Sequence, residues 1–172
     1  MSFAKRVLSL AFFCVLAACN QAPQPQPVAA PVGEPTFYRS LATKDAVVDS
    51  EAARDMISAY RHNNGLGALA LDDQLGRAAQ AQAQEMARRA SLDANARGSL
   101  ESRLATAGVH SAWAVENVSA GYHTLAEAFS GWRQSAPHNR KMLDARVARM
   151  GLATAYAPGA KYKVYWALIL AE

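Results

Sequence analysis

Cysteine is nearly absent from this chain. Of 172 residues two are cysteine, Cys14 and Cys19, and none follows residue 19. The rest of the chain cannot be stapled by disulfides, even in an oxidising compartment, and must rely on a hydrophobic core. Also missing is any cluster of Lys and Arg with interleaved aromatics, which removes the footprint of nucleic-acid binding. The formal charge is +4, and Lys5 and Arg6 supply two of those positive charges. There is no internal repeat and only one low-complexity stretch. No Gly-x-Ser-x-Gly elbow accompanies any serine, so a serine nucleophile has little support.

What is present begins with Lys5 and Arg6 ahead of an apolar run over 7–17 and the sequence Leu16-Ala17-Ala18-Cys19. The run is too short to span a bilayer stably; its charged flank and small-residue end read as a secretory signal. Leu-Ala-Ala-Cys resembles the lipobox of bacterial lipoproteins. That resemblance implies cleavage before Cys19 and lipidation of its thiol, with the acyl chains acting as a membrane anchor. Loss of Lys5 and Arg6 would leave a charge of +2. Asn20 after the cysteine favours the periplasmic face of the outer membrane. Residues 20–43, rich at first in Pro, Gln and Ala, read as a flexible tether. Residues 44–172 have the length of one domain with one core.

Within that domain Val48, Ala52, Met56, Ala59 and Tyr60 recur at helical spacing, predicting a helix over 44–63 ended at Asn64-Gly65. Leu66, Leu69 and Leu71 then cross to the next element and should plug the core. Asp72 or Asp73 caps a second helix, alanine-rich and lined by Leu75, Ala78, Ala79, Ala83 and Met86. A short helix over 99–107 closes at Gly108, and 113–121 reads as extended. Thr124 and Glu127 form a capping box for another helix carrying Trp132, expected in the core. Pro137 breaks that pattern, and a short turn follows. The segments 146–156 and 162–171, joined at Pro158-Gly159, read as two antiparallel strands. Helices first and strands last around one core give an α+β layered domain.

Several of these features together resemble the CAP superfamily of cysteine-rich secretory, antigen 5 and pathogenesis-related proteins, and its bacterial branch above all. They are Asn64-Gly65-Leu66 with Leu69, the alanine-rich helix, Arg103 with Gly108, Ala114-Val115-Glu116-Asn117-Val118, Trp132 with Ser135 and His138, and Met150-Gly151-Leu152. The resemblance implies a three-layer α-β-α sandwich with a short antiparallel sheet, and a cleft holding two histidines and two glutamates. Carried over by residue, Glu116 and His138 match. Asp93 stands where a first histidine would be, and Ser135 where eukaryotic relatives carry the second glutamate.

The ligand cleft is therefore expected at Asp93, Glu116, Asn117, Ser135 and His138. No cofactor is expected. Glu116 and His138 are the only catalytic candidates, and His138, Glu116 and Asp93 the candidates for a divalent cation such as zinc, which carboxylate-for-imidazole replacement would disfavour. The bland reading of the same residues is a buried Glu116–His138 hydrogen bond that staples the fold. Asn117 reads as a backbone-bonding amide, His62 and His110 as solvated or loop residues, and His123 as a minor ligand candidate. Three functions follow: a non-catalytic binding module for lipid, glycan or protein at the cell envelope; a metal-assisted, peptidase-like hydrolase using Glu116 and His138; or a structural envelope protein. The expected partners are the membrane, through the lipid on Cys19, and an envelope ligand, with the chain a monomer.

Overall fold

The computed structural model describes residues 33–172; the expected leader, the expected lipobox at Cys19 and most of the expected tether lie outside the described residues. Helix α1 (Ser50–His62) starts six residues later than its periodicity predicts. Asp45 adopts a left-handed conformation (φ 61°) that a helix cannot include. Asp49 then caps the helix, its Oδ1 accepting the Ala52 N–H at 2.9 Å and its Oδ2 the Thr36 hydroxyl at 2.7 Å. Ala53, Ile57 and Arg61, spaced by four, form its buried stripe.

A two-residue strand, β1 (Ala70–Leu71), follows. Only Leu69 of the three crossing leucines is deeply buried; Leu71 is 36% exposed. Asp72 caps α2 (Asp73–Arg89) with bonds from the N–H groups of Gln74 and Leu75. Ser99 caps α3 (Leu100–Thr106). Strand β2 (Ala114–Ala120) leads to α4 (Leu125–Gln134), where Thr124 and Glu127 make the reciprocal box that the spacing predicts. Pro137 does not end helical structure. It lies in the first turn of α5 (Ala136–Met142), where a missing N–H costs nothing, so the expected turn is a short helix. Strands β3 (Arg149–Tyr156) and β4 (Val164–Ala171) complete the domain.

The four strands are ordered β1-β3-β4-β2. The three long strands are antiparallel, with Gly151 opposite Ile169 and Glu116 opposite the same residue from the other side. β1 adds a short parallel pairing at Arg149 and Met150, which the alternation pattern could not reveal. All eight residues of β4 are buried, because a central strand covered on both faces reads as one continuous apolar run.

One face of the sheet carries Leu152, Val164, Trp166, Leu168 and Leu170 against α1, α4 and α5, with the Trp132 and Trp166 rings edge to face at 6.0 Å. The other carries Ala153, Tyr165, Ala167 and Ile169 against the alanines of α2 and Leu104 of α3. Small residues let α2 lie directly on the sheet. A Cβ on Gly151 would sit 2.1 Å from the Leu75 carbonyl carbon. The result is a single-domain α-β-α sandwich.

Candidate functional site

Strand β2 decides what the candidate residues can do. Successive side chains on a strand point to opposite faces, so Glu116 and its neighbour Asn117 cannot share a cleft. Glu116 faces the α2/α3 layer. Its carboxylate accepts both Arg103 Nη1 at 2.9 Å and Nη2 at 2.7 Å, in a pair whose side chains are 6% and 5% exposed. Arg103 also donates to the carbonyls of Ala94 (3.2 Å) and Gly98 (3.3 Å). A fork-to-carboxylate geometry of this kind is among the strong charge-assisted pairs, and it occupies both oxygens of the glutamate.

Asn117 faces the α4/α5 layer. Its Nδ2 donates to the His138 carbonyl at 3.0 Å, while its buried Oδ1 has no hydrogen-bond partner. His138 is half-buried on α5. Burial, with the Lys141 charge adding to it, lowers its pKa from the usual histidine value. The Lys141 ammonium reaches back to the Glu116 backbone carbonyl at 2.6 Å. The expected Glu116–His138 hydrogen bond is thus replaced by two separate attachments. Arg103 holds the glutamate on one side of the sheet, and Asn117 holds the α5 backbone on the other.

The remaining candidates are dispersed. Asp93 is exposed in the loop before α3, where its Oδ1 accepts the Asn95 N–H at 2.8 Å and its carbonyl accepts Gln82 Nε2 at 3.0 Å. Ser135 is half-buried at the α4–α5 junction, and its hydroxyl makes no capping bond there. Among the described residues no three His, Cys, Asp or Glu side chains gather closely enough to hold a metal ion. The expected convergence of His138, Glu116 and Asp93 is therefore not formed: β2 alternation separates the first two, and Asp93 turns into its own loop. His62, His110 and His123 are all exposed. Trp132 is fully buried and donates its indole N–H to the Ser119 hydroxyl at 3.0 Å.

Two arginines carry more of this region than the sequence reading assigned them. In sequence Arg103 stands out only for its place with Gly108; its role as the partner of Glu116 needs the third dimension. Arg61 is 1% exposed and donates to the carbonyls of Gly67, Met142, Asp144 and Val147 at 2.8–2.9 Å. Its signal was present, since it extends the Ala53–Ile57 stripe by one further turn. Burial lowers the pKa of this guanidinium, and the Asp144 charge opposes that effect.

The comparisons with known proteins agree with this architecture. The profile of the cysteine-rich secretory protein (CAP) family matches residues 54–170. An extracellular protein of Bacillus anthracis containing an SCP domain superposes with a TM-score of 0.63 at 22% identity, over 71% of this chain and 39% of its own. A cysteine-rich secretory protein of Staphylococcus aureus gives 0.59 at 19%, over 71% and 37%. An outer surface protein of Borrelia burgdorferi gives 0.63 at 15%, over 74% and 98%. The chain thus spans about two fifths of the length of the first two, and at such identities the likeness is one of fold. No curated protein matches. With the family profile covering most of the chain and the sandwich in place, this protein belongs to the CAP, or cysteine-rich secretory protein, family.

Proposed function

We propose that this chain is a non-catalytic binding module of the bacterial cell envelope, extracytoplasmic and held to a membrane by a lipid on Cys19. The observation that carries the first half is the Arg103–Glu116 pair. A general base must be free to take a proton within hydrogen-bond reach of substrate. Here both carboxylate oxygens are held by a guanidinium in a buried site, and His138 lies across the sheet from them. A metal-assisted hydrolase would need an ion close to the base, and these residues do not gather around one. The envelope placement draws on the leader and lipobox of the sequence. The Bacillus and Borrelia proteins, one extracellular and one of the outer surface, point the same way.

Turnover of casein and labelled peptides with added zinc tests the catalytic half, comparing wild type with Glu116→Gln and His138→Ala. Equal background rates in all three are expected; zinc-dependent turnover lost in either variant would overturn the reading. Radiolabelled palmitate incorporation into wild type but not Cys19→Ser tests the anchor.

A further inference from the structure

A cavity of about 360 Å³ opens between α2 and α3, lined by Arg77, Arg97 and Arg103 with Ala78, Ala81, Thr106 and Ala107. No carboxylate lines it. The Arg103 charge is matched by Glu116 beneath, and its donors are taken by that carboxylate and by loop carbonyls. Arg77 and Arg97 are different. Neither has a carboxylate at ion-pair distance or a hydrogen-bonded acceptor among the described residues. The nearby Glu85 is committed to Arg88 and Arg89.

We propose that Arg77 and Arg97 bind a phosphate group, carried on a phosphomonoester or phosphodiester, in this cavity. Two guanidinium forks from separate elements suit a group with several anionic oxygens, whereas one carboxylate would fill only one fork. A monoester carries about −1.5 to −2 at neutral pH, which matches two guanidinium groups that make no direct ion pair. The alanine floor leaves room for the carbon skeleton of the ester.

Both arginines are exposed, and the backbone that carries each is fixed in advance. Arg77 stands on the rigid α2. Arg97 sits in the loop over 93–98, which is tied on one side by Gln82 Nε2 to the carbonyls of Asp93 (3.0 Å) and Ala94 (3.1 Å). On the other side Arg103 grips the carbonyls of Ala94 and Gly98. A loop fixed this way loses little entropy when a ligand arrives. The buried Arg103–Glu116 pair thereby acquires a purpose: it holds the loop that presents Arg97. The inference rests on the binding-module reading and deepens it by naming a ligand chemistry, on the α2/α3 side of the sheet.

The same chemistry could reach the cavity as a soluble ester or as a lipid headgroup, and two experimental arms separate them. Calorimetric titration of the full-length chain at low salt, with inorganic phosphate and then glycerol 3-phosphate, should give saturable binding. Arg77→Gln/Arg97→Gln should weaken it about tenfold or more, as expected for loss of charge-assisted bonds. Arg77→Lys/Arg97→Lys keeps the charge without the forks and should fall between. Sedimentation with phosphatidylcholine vesicles, with and without phosphatidylglycerol, forms the second arm. Any insertion of the N-terminal apolar run is common to wild type and variants. A preference for the anionic vesicles that the Gln pair removes identifies a headgroup; loss of ester binding alone identifies a soluble ligand. The proposal is overturned if wild type binds neither probe, or if the Gln pair, with an unchanged melting curve, binds both as wild type does. Neither failure would touch the non-catalytic reading, which the peptide-turnover assay decides.

Discussion

At the scale of single residues the fold depends on arginines that do not face water. Removing one member of the Arg103–Glu116 pair leaves a buried charge alone, so Arg103→Ala and Glu116→Ala should each cost about 3–5 kcal/mol in denaturant unfolding. The double variant should cost clearly less than the two losses added together. His138→Ala combined with Glu116→Ala should instead be additive within about 0.5 kcal/mol, because the two side chains share no contact. A strong coupling in that second cycle would mean that the glutamate turns towards α5 in solution. Glycines give a second contrast. Gly151→Ala sets a methyl against the backbone of Leu75 and Gly76, at 2.1 and 2.3 Å, and neither can move without lifting α2 from the sheet. Its cost should reach or exceed the roughly 3 kcal/mol at the upper end of overpacking. At Gly131 the atom in the way is the Tyr122 hydroxyl, the free end of a side chain that can swing aside. Gly131→Ala should therefore be the milder change by thermal unfolding.

At the scale of elements, the capping box of α4 is both legible in sequence and testable. Thr124 Oγ1 accepts the Glu127 N–H at 3.2 Å, and Glu127 Oε2 accepts the N–H groups of Thr124 (3.2 Å) and His123 (2.6 Å). Thr124→Ala should cost about 1 kcal/mol. Helices of this kind announce themselves because their signals are local: a cap, a periodic stripe, a glycine stop. The strands β3 and β4 were legible for the same reason, through a proline-glycine turn between two runs of β-formers. Three things were not. The α1 start was hidden because 44–49 keeps an apolar rhythm while Asp45 takes a left-handed turn. α5 was hidden because a proline that ends one helix can begin the next. β1 was hidden because two residues carry no periodicity. The site was legible in part. The sequence placed Glu116, Asn117 and His138 near one another along β2 and α5. Which partner each takes depends on strand parity, and parity needs to be joined to a three-dimensional neighbour before Arg103 can be chosen over His138.

At the scale of the whole molecule the titrating groups set a common direction with pH. The Asp144 carboxyl is lowered to about 2, chiefly by its hydrogen bond from Arg146, helped by the Trp113 indole N–H. A carboxylate whose folded pKa lies below its unfolded value, near 4, contributes stability above that value and loses it as pH falls towards 2. His138 is also lowered, so the unfolded chain binds its proton first. Stability then declines as pH falls below about 6.5. Melting temperature should thus fall in two stages on acidification. His138→Gln should remove the upper stage and leave the lower one, and Asp144→Asn should blunt the lower. A melting temperature that rises between pH 7 and 5 would contradict the first assignment.

The strand order carries a consequence for how such a chain is assembled in time. β4, the last strand in the sequence, lies between β3 and β2 in the sheet and is buried along its whole length. The long edges of β2 and β3 face each other across a slot that only residues 164–171 can fill. An elongating chain can form its helices early, but the sheet has no middle until the final strand arrives, and Arg61 cannot close its long-range bonds to 142–147 before that region is supplied. Folding should therefore be late, cooperative and slow for a domain of this size, as expected when the decisive contacts are distant in sequence. A nascent chain lacking its final strand would leave two strand edges unpaired and the apolar faces of the helices uncovered, and so remain unfolded, which is the state in which a polypeptide can still be threaded through a narrow channel.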